Sequence, residues 1–173
     1  GWLIVIDCLV VGPWHRTHKR SKTHRRTPRD WDADHVLLRL ARCENGEVDL
    51  SLICEPNFDY GRSPESWGYE TEDYSGGVIS HEGTNVTLRL RTDLRLGLDG
   101  RRALARTTLR EGDTAFVALT WRQEDPLLPE NYEQAWAAVE RTTEFWRQWL
   151  SRGWFPDHPW RRHLQRSALA LKG

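Results

Sequence analysis

The chain has 173 residues, room for one domain of ordinary size, with hydrophobic residues at 38%, charged residues at 29% and a formal net charge of +0. That balance marks a soluble chain with a modest core and excludes a global electrostatic pull toward nucleic acid or membrane. Three cysteines, Cys8, Cys43 and Cys54, are an odd number without Cys-x-x-Cys spacing, so they read as reduced core residues of a cytoplasmic protein.

Gly1 to Val11, GWLIVIDCLVV, opens inside an apolar run with no polar lead-in. It lacks a basic n-region and a small-residue cleavage site, carries Asp7 and is too short for a membrane span, so it reads as a buried strand rather than a signal peptide. From Arg16 to Arg29 the chain changes character: RTHKRSKTHRRTPR holds seven Lys or Arg, with His18 and His24 interleaved and His15 just before. A solvated loop between two strands is the simplest reading; docking on an acidic surface of a parent protein and binding of a polyanion are the others. Aromatic interleaving is absent, which disfavours nucleic acid, and the histidines have no metal-ligand spacing, so no metal site is expected.

After Trp31 the alternation becomes strict. Val36, Leu38 and Leu40 share one face, as do Val48, Leu50, Leu52 and Cys54, and Asn45-Gly46 between the two runs predicts an antiparallel hairpin. Glu55-Pro56 ends the second strand, and Asn57 to Arg62 follows as a turn with two aromatic rings and a charge pair. Shorter strands are predicted over 67–74, 77–81, 85–91, 103–109 and 114–122, with turns at 98–101 and 110–113. Short strands at this spacing predict an antiparallel β-sandwich over 1–124, incomplete at its start. Asn85-Val86-Thr87 matches a glycosylation acceptor and is discounted without a secretory signal.

Asp125 to Pro129 reads as a linker, opening a linker segment over 125–155. A helix is predicted over 130–152, with Tyr132, Trp136, Val139, Thr143, Trp146 and Leu150 as its apolar stripe and Gly153 at its C-terminal cap. It is expected to bridge the sandwich and a following domain. Pro156 and Pro159 bracket Asp157 and His158, residues suited to a helix start, and from there Trp160, Leu164, Ala168 and Leu171 make one stripe opposed by Arg161, Arg162, Gln165 and Arg166. Such a helix over 156–173 needs a partner to bury its stripe. The expectation is a part of a larger protein, cut as its second domain begins.

Five segments together carry a family resemblance: Trp31 to Arg62, Thr92 to Gly100, Ala105 to Asp113, Ala118 to Trp121 and Phe155 to Gly173. In order and spacing they resemble the N-terminal domain of glycoside hydrolase family 15, the trehalase-like and glucoamylase-like group of bacteria. The resemblance implies an antiparallel super-sandwich, a linker helix and the first helix of an (α/α)6 barrel. In that family the barrel hydrolyses α-linked glucose, in trehalose or at α-glucan ends, with inversion by two carboxylates. The segments bearing those carboxylates are not in this chain, so no catalytic residue is carried over and no cofactor or metal is implied. Pairings such as Asp32 with Asp34, or Glu55 with Asp59, read better as turn and strand-end residues.

Two groups of candidate residues remain. Phe58, Asp59, Tyr60 and Arg62 combine rings with a charged hydrogen-bonding pair, a normal carbohydrate contact, although both rings could instead fill the sandwich edge while Asp59 and Arg62 pair. Trp67 and Trp154 are weaker ligand candidates. Trp146, Trp160, Leu164 and Leu171 are candidates for docking the missing barrel of the same polypeptide, the partner the resemblance implies. Carbohydrate would then be met through the parent protein, with membrane excluded and nucleic acid disfavoured. The competing readings are a stand-alone carbohydrate-binding module and a polyanion binder using Arg16 to Arg29.

Overall fold

A computed structural model describes residues 1–11, 33–62, 64–121 and 128–172. The basic segment Arg16 to Arg29, Asp32 and most of the 125–129 linker lie outside the described residues. Among the described residues nine strands form an antiparallel β-sandwich, followed by two helices. The strands are β1 Trp2–Val11, β2 Ala33–Asn45, β3 Glu47–Cys54, β4 Gly68–Tyr69, β5 Gly76–His81, β6 Val86–Thr92, β7 Gly97–Asp99, β8 Arg102–Arg110 and β9 Thr114–Thr120. The helices are α1 Tyr132–Ser151 and α2 Arg161–Lys172. A six-stranded sheet runs β1-β2-β9-β6-β5-β4, and a three-stranded sheet runs β3-β8-β7.

The alternation read from the sequence sets the faces of β2, but the predicted hairpin does not form. β2 pairs with β1 and β9, whereas β3 pairs with β8 in the other sheet. Asn45-Gly46 is therefore an arch that carries the chain from one sheet to the other. Gly46 has φ +69, a left-handed conformation that an arch uses as readily as a hairpin turn. A second arch joins β8 to β9 at Gly112, and the two are tied together: Cys43 N–H donates to Asp113 O (2.9 Å), and Gly112 N–H donates to Cys43 O (2.9 Å).

Crossing between sheets covers the second face of β2 at its far end, while Leu37 and Arg39 on that face stay exposed. Val36, Leu38 and Leu40 meet Phe116, Ala118 and Val10 under α1, which contributes Ala135, Ala138 and Val139. On the opposite face Ala41 and Cys43 pack with Leu109, Ala115, Val48 and Leu50, between the sheets. Further along, Trp67, Ile79, Leu90, Leu96, Ala103 and Ala105 fill the rest of the inter-sheet space. The result is three layers, helix on sheet on sheet, each built from a two-residue period or a helical one.

The buried stripe of α1 is Ala135, Ala138, Val139, Thr142 and Phe145, turned from the predicted Tyr132, Trp136, Val139, Thr143, Trp146 and Leu150. Val10, Leu38, Leu40 and Phe116 already supply the bulk beneath it, so small side chains bring the helix close and Trp136 is left on the exposed flank. Asn131 caps the helix, its Oδ1 accepting from Gln134 N–H (2.9 Å). The helix ends at Arg152 with Gly153 N–H donating to Leu150 O (3.0 Å). Gly153 does not supply a left-handed cap; a Cβ there would stand 2.8 Å from the Phe155 ring, which folds against it.

Asp93 leads from β6 and holds the β9 backbone, its Oδ1 accepting from Phe116 N–H (3.0 Å). Burial pushes its carboxyl above the usual carboxylate range, with the Phe116 N–H pulling the other way and the Glu133 charge adding to the rise. A carboxyl raised on folding binds protons more readily folded than unfolded. Its contribution is favourable below the unfolded pKa of about 3.9 and is lost as pH rises through the raised value. Asp93→Asn keeps an acceptor for Phe116 without the charge. The variant should be more stable than the parent at neutral pH, with the gap closing toward pH ~4. Urea midpoints at the two pH values check this, and a variant less stable at neutral pH would contradict it.

Candidate functional site

The turn after β3 separates its two rings. Asn57 is extended, and then Asp59, Tyr60 and Gly61 take left-handed φ values of 43°, 56° and 80° in succession. Two of the three carry a Cβ, at a cost of about 1–2 kcal/mol per residue. The neighbours that hold the turn are specific. Arg62 N–H donates to Asp59 O (3.1 Å) and Arg101 Nη1 donates to Gly61 O (3.3 Å). Phe58 stacks on the His81 imidazole with centroids 5.3 Å apart and planes 9° from parallel.

His81 is itself fixed from several sides. Its Nδ1 accepts from Thr84 N–H (2.9 Å) and lies 2.7 Å from Thr84 Oγ1, while Nε2 stands 3.6 Å from Glu65 Oε1. Because a backbone amide only donates, Nδ1 carries the lone pair and the proton of the neutral ring sits on Nε2. Phe58 also packs against the Trp67 cluster, so it is a half-buried anchor. Tyr60 is 95% exposed, at the tip of a turn braced below it. Asp59 and Arg62 are exposed beside it.

Trp67, weighed above as a ligand candidate, is a core residue at 6% exposure, its Nε1–H donating to Arg101 O (3.0 Å). Trp154 is in the open. Glu55 is engaged by Arg102 (2.9 Å). Arg101, which the sequence offered only as a turn residue, is brought to Gly61 by the β7–β8 hairpin, a long-range placement with no local signal. The arrangement can offer a sugar one ring face with Asp59, Arg62 and Arg101 as polar neighbours. Among the described residues no group of three or more His, Cys, Asp or Glu could hold a metal ion.

The second candidate group sits on the helices. Trp146 lies between Phe145 and Trp149, at 5.1 and 6.1 Å, in an edge-to-face ladder of rings at the end of α1. His158 precedes the next helix, its Nδ1 accepting from Trp160 N–H (3.2 Å), but α2 begins at Arg161, so Pro159 does not take the first helical position the sequence suggested. α2 leans on α1. Trp160, Leu164 and Leu171 nevertheless stay exposed, at 62%, 44% and 90%.

A groove of about 730 Å³ opens where the start of α1 lies over the two arches. It is lined by Glu44, Glu111, Glu133 and Glu140 with the rings of Tyr132 and Trp136, and its Arg42 is paired to Glu44 (2.6 Å). Its residues come from three separate stretches of chain, so no sequence motif announced it.

All three cysteines are free thiols. Burial pushes Cys8 and Cys54 above the ordinary thiol range. No helix among the described residues is long and apolar enough to cross a membrane.

No protein-family model matches the chain. Over its whole length it is 55% identical, across 177 residues, to a trehalase of Mycobacterium tuberculosis. It is 54% identical, again across 177 residues, to a trehalase of Mycolicibacterium smegmatis. The chain spans 26% of the length of each of these relatives. Among solved structures, one described as a kojibiose phosphorylase from human microbiome is similar over 64% of this chain and 17% of its own, at 18% identity and a TM-score of 0.34.

Proposed function

We propose that this chain, trehalase-like along its whole length, is the N-terminal sandwich of an inverting glycoside hydrolase acting on α-linked glucose, in trehalose or at α-glucan ends. The observation that supports the reading is 55% identity to a trehalase over all of the chain, which spans 26% of that relative. The role is structural. Residues 1–124 form the sandwich domain, 125–155 the linker, and 156–173 the entry helix of a catalytic barrel that carries the acid and the base. Trp146, Trp160, Leu164 and Leu171 dock that barrel; Trp160, Leu164 and Leu171 are exposed and Trp146 half-buried, and such rings and methyl groups are of the kind a partner helix buries. The protein works in the cytoplasm, where its free thiols persist reduced.

The assay is glucose release from trehalose and maltooligosaccharides, with the anomer read by proton NMR. The longest encoded protein should release β-glucose, and the 173-residue chain alone should release none. Activity of the short chain alone, or an α-anomer from the long one, would overturn the reading.

The 95% exposure of Tyr60 supports a secondary role for the Phe58–Arg62 turn as a sugar contact. In the full protein Tyr60→Ala should then raise KM with kcat unchanged, the pattern of lost uniform binding. Unaltered KM on both substrates would remove the turn from the substrate path.

A further inference from the structure

The turn after β3 holds two strained residues, Asp59 and Tyr60, left-handed with a Cβ each. Released, such residues return to extended or right-handed backbone. None of residues 58–61 is buried, and Asn57 before them offers no side-chain cap. What reaches the turn from distant strands is Arg101 Nη1 on Gly61 O and the stack of Phe58 on His81. A stack fixes one ring only as firmly as the other is seated. His81, 9% exposed at the end of β5, is seated by the short turn that follows it, Glu82–Thr84. Its Nδ1 accepts from Thr84 N–H (2.9 Å), and Asn85 closes that turn with a left-handed φ of 52° and its N–H on Glu82 O (3.2 Å). Gly83 brings the turn against the imidazole. A Cβ there would stand 2.9 Å from Cε1, 3.4 Å from Nε2 and 3.7 Å from Nδ1 of His81, and the first of these is closer than carbon atoms pack.

We infer that His81 is a positioning residue for the sugar-contact turn, acting through Phe58 on Tyr60. The inference rests on the reading of that turn as a sugar contact. Its path is contiguous: Gly83 and Thr84 seat the imidazole, the imidazole backs the Phe58 ring at 5.3 Å, and Phe58 directly precedes the two strained residues. His81 is buried and presents no ring face to a sugar, whereas Tyr60 is 95% exposed. Displacing the imidazole therefore leaves every contact group in place and lowers the fraction of molecules in which the turn holds Tyr60 out. A sugar that binds only the held turn loses affinity by that fraction, and the chemistry of bound sugar is untouched.

Gly83→Ala in the full protein is the test. Gly83 is exposed and is not left-handed, and the nearest neighbours of the added methyl group would be atoms of the imidazole, so the fold is kept while the ring is pushed. KM for trehalose or maltooligosaccharide, whichever the full protein cleaves, should rise about twofold or more with kcat unchanged, and the rise should vanish when Tyr60 is already alanine. Hydrogen exchange in the same protein gives a reading independent of sugar. The Arg62 N–H, held by Asp59 O, should exchange faster in Gly83→Ala while the amides of β6 keep their rates. An unchanged Arg62 rate overturns the inference, and so does a KM rise that persists beside Tyr60→Ala. If KM responds to Tyr60→Ala but not to Gly83→Ala, the positioning role of His81 fails and the sugar contact stands. If the Arg62 rate responds and KM ignores Tyr60→Ala, the sugar contact fails and takes the inference with it.

Discussion

Replacing Phe116 by alanine is expected to remove about 3–5 kcal/mol of stability. Domains of this size have about 5–15 kcal/mol in total, so the variant should stand close to its unfolding midpoint in water. The expectation rests on place rather than size alone. Phe116 is fully buried in the central strand β9, opposite Leu40, and its ring lies in the cluster that joins the six-stranded sheet to α1. Its backbone is fixed as well, with the N–H held by Asp93 and the carbonyl accepting from Thr92 Oγ1 at 2.6 Å. The sheet cannot sag into the void, which is the condition under which a cavity costs most. Urea unfolding followed by tryptophan fluorescence measures the loss. A loss below about 1 kcal/mol would mean that α1 collapses onto the sheet and that the three-layer packing is looser than described.

Deleting residues 156–173 is expected to raise the soluble fraction of the chain by a large factor. Helix α2 has 12 residues, a length at which a helix is marginal in water without a partner, and its Trp160, Leu164 and Leu171 remain exposed. They present an apolar stripe of the kind that drives association. Soluble yield and light scattering of the two chains side by side test this. Equal solubility would mean that α2 buries its stripe without help, and the docking role assigned to it would fail.

The strands were legible wherever one face is buried and the alternation is strict. Val36, Leu38 and Leu40 in β2, and Val86, Leu88 and Leu90 in β6, lie in the strands their pattern predicts. Partners were less legible. Asn45-Gly46 specifies a tight reversal with positive φ, but whether the strand beyond it returns beside its neighbour or crosses to the other sheet depends on β8 and β9, far along the chain. The stripe of α1 was misread because its largest residues drew attention, while the surface beneath was already bulky and selected Ala135 and Ala138. At the Phe58 turn the residue types were visible in sequence. Their separation into a stacked anchor and an exposed tip was not, since His81 and Arg101 come from distant strands.

The central position of β9 also sets an order of events during synthesis. Leu40 waits for Phe116 and Leu90 for Leu119, so the six-stranded sheet cannot close until its last-made strand arrives. At translation rates of about 5–20 residues per second, the β1–β2 ribbon stays half-assembled beside the ribosome for several seconds. Throughout that interval Leu38 and Leu40 have neither β9 nor α1 over them. Non-local pairing of this kind is slow even in a free chain. In that interval the apolar face of β2 is the part of the nascent chain most open to association, before the final stability of the fold has any bearing.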